Sequence, residues 1–270
     1  MRRPFVFAFA ALWLAALFAV CAPLALLWPS LAWRNRLSLW AGHLWARGCL
    51  WAAGIRVLLR GREHLALRPA IYTFNHTNVL DFFANSYYAR RRCLVFGKRE
   101  LARLPGLGWG WWLGGHPLIA REDPERWRQT FARVEHLVRE RGYSVVVAPE
   151  GTRSRDGRLG PFKKGPFHLA LATRAPVVPV VVHGARDCLR GGVPVPGLLR
   201  VEVLPPLDTS AWREETLDEH VAEVRARYLE ALGQGCDAEA LATAVPPSGG
   251  SEGGEGGSGS EGVASEAAPA

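Results

Sequence analysis

Acidic residues are absent from the first 62 positions, lysine is almost absent from the whole chain, and no two cysteines stand at redox or metal-binding spacing. Each lack excludes something. The five cysteines (Cys21, Cys49, Cys93, Cys188 and Cys236) are odd in number and scattered, so neither a zinc site nor a disulfide framework is expected. They read as reduced packing residues, which favours a cytoplasmic setting. Ahead of the Gly/Ser/Glu-rich tail there is no GxGxxG, no GxxxxGK[ST], no GxSxG and no HExxH, and the tail's own glycine and serine runs follow no strand pattern. The dinucleotide fingerprint, the phosphate loop, the nucleophile elbow and the zinc-protease helix are therefore all missing. No internal repeat is present.

Charge is also missing from Pro4 to Trp33. As a helix, the nineteen residues from Pro4 to Ala22 would span roughly 28 Å, close to the bilayer core. Pro23 and Pro29 are expected to kink or end that helix. Arg2 and Arg3 resemble the start of a signal peptide, but no small-x-small cleavage site follows, so the segment reads as a retained anchor. Its orientation stays open, because Arg34 and Arg36 balance the two leading arginines. A span and a segment that enters and leaves on one side both fit.

What is there is arginine. With three lysines among 33 basic residues, 30 are arginines, and the net charge is +8. Eight of them fall in the first 62 residues, beside the apolar run, where they would meet anionic lipid head groups. A nucleic-acid partner would leave the apolar run unexplained, and none is expected. From Leu37 to Leu59 the chain is apolar but interrupted. Arg36, His43 and Arg47 would share a helical stripe among Trp40, Trp45 and Trp51. This suits either an interfacial helix or a helix packed on the domain.

The reading divides the chain into membrane-anchoring helices (1–60), a catalytic domain (61–240) and a Gly/Ser/Glu-rich tail (241–270). The tail has too few apolar side chains to order itself. Six β-rich runs, IRVLLR, AIYTFN, CLVFG, YSVVVAP, VVPVVV and LRVEVL, alternate with helical stretches. Asp123-Pro124 forms a cap for a helix burying Trp127, Phe131, Val134 and Val138, and a later helix is expected from about Glu215 to Leu232. The expected fold class is α/β, a central mixed sheet flanked by helices and preceded by an apolar/amphipathic helix pair at the membrane.

Two features carry chemistry. In NHTNVLD, His76 follows a strand and Asp81 lies five residues on. A carboxylate on one ring nitrogen fixes the tautomer and leaves the other nitrogen free to take a proton from a hydroxyl. A helix-capping Asp near an unrelated His is the plainer alternative. In VVVAPEGTRSRDG, a strand runs into Glu150, Gly151, Thr152 and Arg153. Arg153 offers a donor fork suited to phosphate, and Gly151 allows a turn or a close backbone approach. A polar loop after a buried strand is the alternative here. The other histidines, His43, His64, His116, His136, His168, His183 and His220, have no carboxylate at a suggestive spacing and are read as packing or surface.

Together these blocks resemble the glycerolipid acyltransferase family typified by 1-acylglycerol-3-phosphate acyltransferase. NHTNVLD matches its NHxxxxD (HX4D) block. FGKRELARLPGLGW with GGHPLIAR resembles the second, PEGTRS with PFKKGPF the third, and APVVPVVV around Pro179 the fourth. Coverage runs from about Gly61 to Val182. The resemblance implies that His76 is the general base and Asp81 its orienting partner. It implies that Glu150 and Arg153 bind glycerol phosphate, with Gly151 and Thr152 in that loop, and that Arg121 contacts the acceptor phosphate. Lys98 and Lys163–Lys164 are further candidates for phosphate or acyl-carrier contacts. Pro117, Ala120 and Ala148 depart from the usual pattern, which bears on the acceptor more than on His76.

The reaction the resemblance implies moves a fatty acyl group from acyl-CoA or acyl-carrier protein to the free hydroxyl of 1-acyl-sn-glycerol-3-phosphate, giving phosphatidic acid, with no metal or other cofactor. It belongs to phospholipid biosynthesis, at a membrane, with the catalytic domain on the cytoplasmic side. A different lysolipid acceptor, such as lyso-ornithine lipid, and a non-catalytic basic membrane adaptor are the rival readings. The tryptophans of GLGWGWWLGG are expected to border an acyl groove or touch lipid.

Overall fold

A computed structural model describes residues 2–89, 91–119, 123–154 and 156–234. The tail 241–270 and Cys236 lie outside the described residues.

Two antiparallel helices open the chain, α1 (Arg2–Leu27) and α2 (Leu31–Ala53). Indole donors tie them together: Trp13 Nε1 to the Leu44 carbonyl (3.1 Å), Trp45 Nε1 to Ala10 (2.9 Å) and Trp33 Nε1 to Leu24 (3.1 Å). Pro23 does not end α1, which continues to Leu27. Leu17, Cys21 and Ala25 form a buried stripe that carries the helix past the proline. Pro29 falls in the break. Next to it Ser30 caps α2 by accepting from the Trp33 amide (3.3 Å), so α2 begins six residues before Leu37. Arg36, Trp40, Arg47 and Trp51 lie exposed on one side of α2, and Asn35, Leu39, Ala46 and Leu50 are buried on the other. The helix α2 thus has a packed face and an open Trp/Arg face.

The sheet has six strands in the order β1 (Ile55–Arg60), β10 (Gly197–Val203), β7 (Val177–His183), β2 (Ile71–Phe74), β6 (Ser144–Val147), β3 (Cys93–Val95). The strands β7, β2, β6 and β3 are mutually parallel, and β10 turns antiparallel to β7. Two further pairs, β4 (Gly97–Lys98) with β5 (Leu118–Ile119) and β8 (Leu189–Arg190) with β9 (Val193–Pro194), lie outside this sheet. Residues 55–60, grouped above with the anchoring helices, are an edge strand of the sheet, paired in register from Ile55–Gly197 to Arg60–Glu202. Gly61 closes that edge at φ 70°, pressed on the Val203 carbonyl with no room for a Cβ.

Both faces of the sheet's centre are covered, so β2, β6 and β7 are buried almost throughout, whereas β1 and β10 at one edge alternate buried and open residues. On one face Tyr72, Phe74, Val146, Val178 and Val180 pack with α2 and with Leu80 and Ala84 of α3 (Leu80–Asn85). On the other, Ile71, Val145, Val147 and Val181 pack under α5 (Pro124–Arg141), α6 (Gly165–Thr173) and α7 (Leu217–Leu232). The remaining helix, α4 (Leu107–Leu113), sits beside α1 and α2. Asp123 caps α5 as expected, accepting from the Arg126 amide (3.0 Å). Because β2 and β6 are parallel neighbours, the loops leaving their carboxyl ends, those of His76 and Glu150, emerge side by side.

Candidate active site

Asp81 is fully buried, and its carboxylate organises the loop that carries His76. One oxygen, Oδ2, accepts from His76 Nδ1 (3.0 Å), the Thr77 amide (2.6 Å) and the Asn78 amide (2.8 Å). The other accepts from the Thr77 hydroxyl (3.2 Å). The capping and catalytic alternatives for this aspartate are therefore not exclusive, since one carboxylate shapes the turn and binds the imidazole. A carboxylate at Nδ1 places the proton there and leaves Nε2 basic. The ring rests edge-on to Phe74 (5.6 Å between centroids), and about a fifth of the side chain is exposed.

His76 is held from behind as well. Its amide donates to Glu150 Oε1 (2.7 Å), and its carbonyl accepts from the Ser154 amide (2.8 Å). The other Glu150 oxygen accepts from the Gly160 amide (3.0 Å). Both oxygens of this buried carboxylate therefore hold backbone of the protein. Burial pushes the Glu150 carboxyl above the ordinary range, while the two amide donors pull it back. The turn that delivers Glu150 has Pro149 and ends at Gly151, whose φ is 68° and whose amide donates to the Ala148 carbonyl (3.1 Å).

Thr152 and Arg153 are exposed at the far side of this turn, and Lys98 is exposed on β4. Arg121 lies outside the described residues. Lys164 is engaged by Asp218 of α7 (2.7 Å), whereas Lys163 lines a cavity with Phe96, Trp127, Phe131 and Gly151. The structure thus brings His76, Asp81 and Glu150 together and sets Arg153 and Lys98 in the open.

Asn75 was not singled out in the sequence, nor were the side-chain bonds of Asn78. Asn75 continues the pairing of β2 with β7 through its side chain, exchanging bonds with the Val182 amide (2.7 Å) and carbonyl (3.0 Å). Asn78 donates to the Ala185 carbonyl (2.8 Å) and accepts from the Leu80 amide (2.8 Å). The only available signal was the density of small polar residues around His76. Of the histidines read as packing or surface, His183 meets Glu202 (3.2 Å) across strands, and His116 is buried.

A second cavity, strongly apolar, lies between α1, α2, α3 and α4, lined among others by Leu14, Phe18, Leu37, Trp45, Phe82 and Trp111. Two buried donors on its wall, Arg34 Nε and Trp111 Nε1, have no acceptor among the described residues. The helix α3 that contributes Phe82 also carries Asp81, so this cavity abuts the loop that holds His76.

The profile of the family described as acyltransferase matches residues 56–183. The chain is 36% identical over 213 residues to the 1-acyl-sn-glycerol-3-phosphate acyltransferase of Limnanthes douglasii, covering 77% of this chain and 74% of that protein. The enzyme of the same name from Escherichia coli (strain K12) is 36% identical over 157 residues, covering 58% of this chain and 64% of that one. Among solved structures, the 1-acyl-sn-glycerophosphate (LPA) acyltransferase PlsC from Thermotoga maritima superposes with a TM-score of 0.69 at 22% identity. It covers 86% of this chain and 98% of that one, which establishes the shared fold.

Proposed function

Because this chain belongs to the acyltransferase family, we propose that it moves a fatty acyl group from a thioester, acyl-CoA or acyl-carrier protein, to the free hydroxyl of 1-acyl-sn-glycerol-3-phosphate, giving phosphatidic acid. The observation that carries the mechanism is the His76 Nδ1 contact with buried Asp81, which leaves the second ring nitrogen as the base.

In this reaction Nε2 takes the acceptor's hydroxyl proton as the oxygen attacks the thioester carbonyl. Asp81 stabilises the imidazolium so formed. The tetrahedral intermediate collapses with cleavage of the C–S bond, and the imidazolium returns its proton to the departing thiolate. The enzyme forms no covalent intermediate, and its own residues supply the acid–base chemistry. Glu150 and Ser154 act as positioning residues by fixing the backbone on either side of the imidazole.

Arg153, exposed beside the turn that holds Glu150, binds the acceptor phosphate in this reading, and its planar donor fork supports that role. The apolar cavity under α1–α4 receives an acyl chain. Its two unpartnered donors suit the ester oxygens of a lipid. The helix α1 is apolar over Pro4–Leu27, long enough to cross a bilayer, and little buried in the protein. It holds the site at the membrane. Cys93 and Cys188, buried and unpaired among the described residues of the α/β domain, fit a position on the cytoplasmic side.

The test replaces His76 with alanine and measures transfer of a labelled acyl chain to 1-acyl-sn-glycerol-3-phosphate. A folded variant should lose at least ~10³-fold in kcat. Transfer at the parental rate would end this mechanism.

A further inference from the structure

The helix α4 carries three tryptophans, and its turn sorts them. Trp111 is buried, stacked on Phe82 (5.7 Å) in the wall of the apolar cavity. Trp109 and Trp112, one turn apart, do not line it and are 57% and 71% exposed. Large indoles rarely stand open to water in pairs without a partner surface.

Two contacts set α4 along α1, and a third ties its end to α2. Leu14 packs on Gly106 at its start, the Trp109 ring lies 5.0 Å from Phe18, and Leu31, at the head of α2, presses on Gly115 just past its end. Over the same stretch α1 and its turn expose Leu24, Leu26, Leu27 and Trp28. Immediately before α4, Leu104 is exposed, as are Arg99 and Arg103 on the short 3-10 turn Arg99–Arg103. Apolar bulk, amphipathic indoles and arginines thus meet on a surface continuous with the apolar helix. That combination suits the head-group zone of an anionic bilayer.

We propose that α4 is a third membrane-seating element, distinct from the N-terminal helix pair. Trp109 and Trp112 sink into the interfacial layer, and Arg99 and Arg103 meet lipid phosphates. A single helix then touches lipid on one side and walls the acyl cavity on the other through Trp111. The depth at which the protein rides in the membrane is therefore coupled to the position of the cavity. Trp109 and Trp112 do not line that cavity, so seating can be altered without altering the reacting groups.

The experiment uses the full chain and a Trp109→Gln/Trp112→Gln double variant. Two acceptors are compared, a short-chain 1-acylglycerol-3-phosphate offered as monomers and a long-chain one embedded in vesicles of equal parts phosphatidylcholine and phosphatidylglycerol. Turnover on the monomeric acceptor should stay within about twofold, while turnover on vesicles falls roughly tenfold or more. Equal turnover on vesicles would overturn the proposal. So would a change of oligomeric mass with vesicle turnover retained, because the face would then be a contact between copies of the chain. In parallel, an environment-sensitive fluorophore on Leu104→Cys should shift to the blue when those vesicles are added. An unshifted emission overturns the proposal whatever the double variant does. This second readout does not depend on the acyl-transfer reading, so the two can fail separately.

Discussion

Replacing Asp81 by asparagine separates the two jobs of one carboxylate. An asparagine oxygen placed where Oδ2 sits can still accept from the Thr77 and Asn78 amides and from His76 Nδ1, which lie 2.6, 2.8 and 3.0 Å away. Its amide nitrogen would face the Thr77 hydroxyl, which can turn to accept. The turn and the histidine tautomer therefore survive, and only the charge is lost. Two unit charges ~4 Å apart attract by about 4 kcal/mol at an effective dielectric constant near 20. That attraction appears only when the imidazole takes the hydroxyl proton, so kcat should fall by about 10³-fold. Stability should drop by only ~1–2 kcal/mol, the difference between charge-assisted and neutral hydrogen bonds. Asp81→Ala, in contrast, leaves two backbone amides without an acceptor at about 1–3 kcal/mol each, and should be visibly destabilised. The assay pairs steady-state acyl transfer with thermal unfolding for both variants. If Asp81→Asn keeps more than about a tenth of parental kcat, electrostatic stabilisation of the imidazolium is not what the carboxylate supplies.

The other consequences are briefer. Glu150→Gln cannot accept from both the His76 and Gly160 amides, so kcat should fall roughly tenfold or more through a misplaced imidazole. The acceptor KM should stay near parental, and a rise in KM alone would mean that Glu150 meets the substrate. Arg153→Ala should raise the KM for 1-acyl-sn-glycerol-3-phosphate with little change in kcat, and a small effect would favour a phosphate-free acceptor. His116, lowered to about 4 chiefly by burial and then by Arg133, stays neutral in the folded protein while the unfolded chain takes up a proton near 6.5. Its stabilising contribution is thus complete above the unfolded value and declines as pH falls from 6.5 toward 4. The decline reaches about 2 kcal/mol at pH ~5. Unfolding at pH 7 and pH 5 should show this loss in the parent and a smaller one in His116→Asn.

The core of the fold was readable because its sheet is covered on both faces. Each of the six apolar runs picked out by composition became one of the six strands, and the Asp123-Pro124 cap marked the start of α5. The two-residue pairs β4–β5 and β8–β9 are too short to have a period and left no signal. The helix boundaries at the amino terminus moved for a tertiary reason. A proline normally costs a helix about 3 kcal/mol or more, yet α1 passes Pro23 because Cys21 and Ala25 are buried on either side of it. The head of α2 falls between the two apolar stretches of the sequence, at Arg34 and Arg36. There Asn35 exchanges bonds with the Cys93 carbonyl (3.0 Å) and amide (3.2 Å) and donates to the Gly114 carbonyl (2.9 Å), stitching the helix to β3 and α4. Such contacts span 58 and 79 residues.

The same distinction runs through the site. His76 and Asp81 are five residues apart, so a local turn sufficed to place them together, and spacing could carry the argument. Glu150 lies 74 residues from His76, and its carboxylate was read as reaching outward to a substrate. In the structure a buried carboxylate reaches back to an amide. A phosphate would have to displace those amides and approach a group of its own charge, two costs that water would not relieve at a 6% exposed residue. Arg153 meets neither obstacle, because it stands in solvent beside the same turn. PEGTR thus faces two ways: its glutamate holds the His76 backbone from within, and its arginine stands in solvent, where the proposed mechanism has it meet the acceptor.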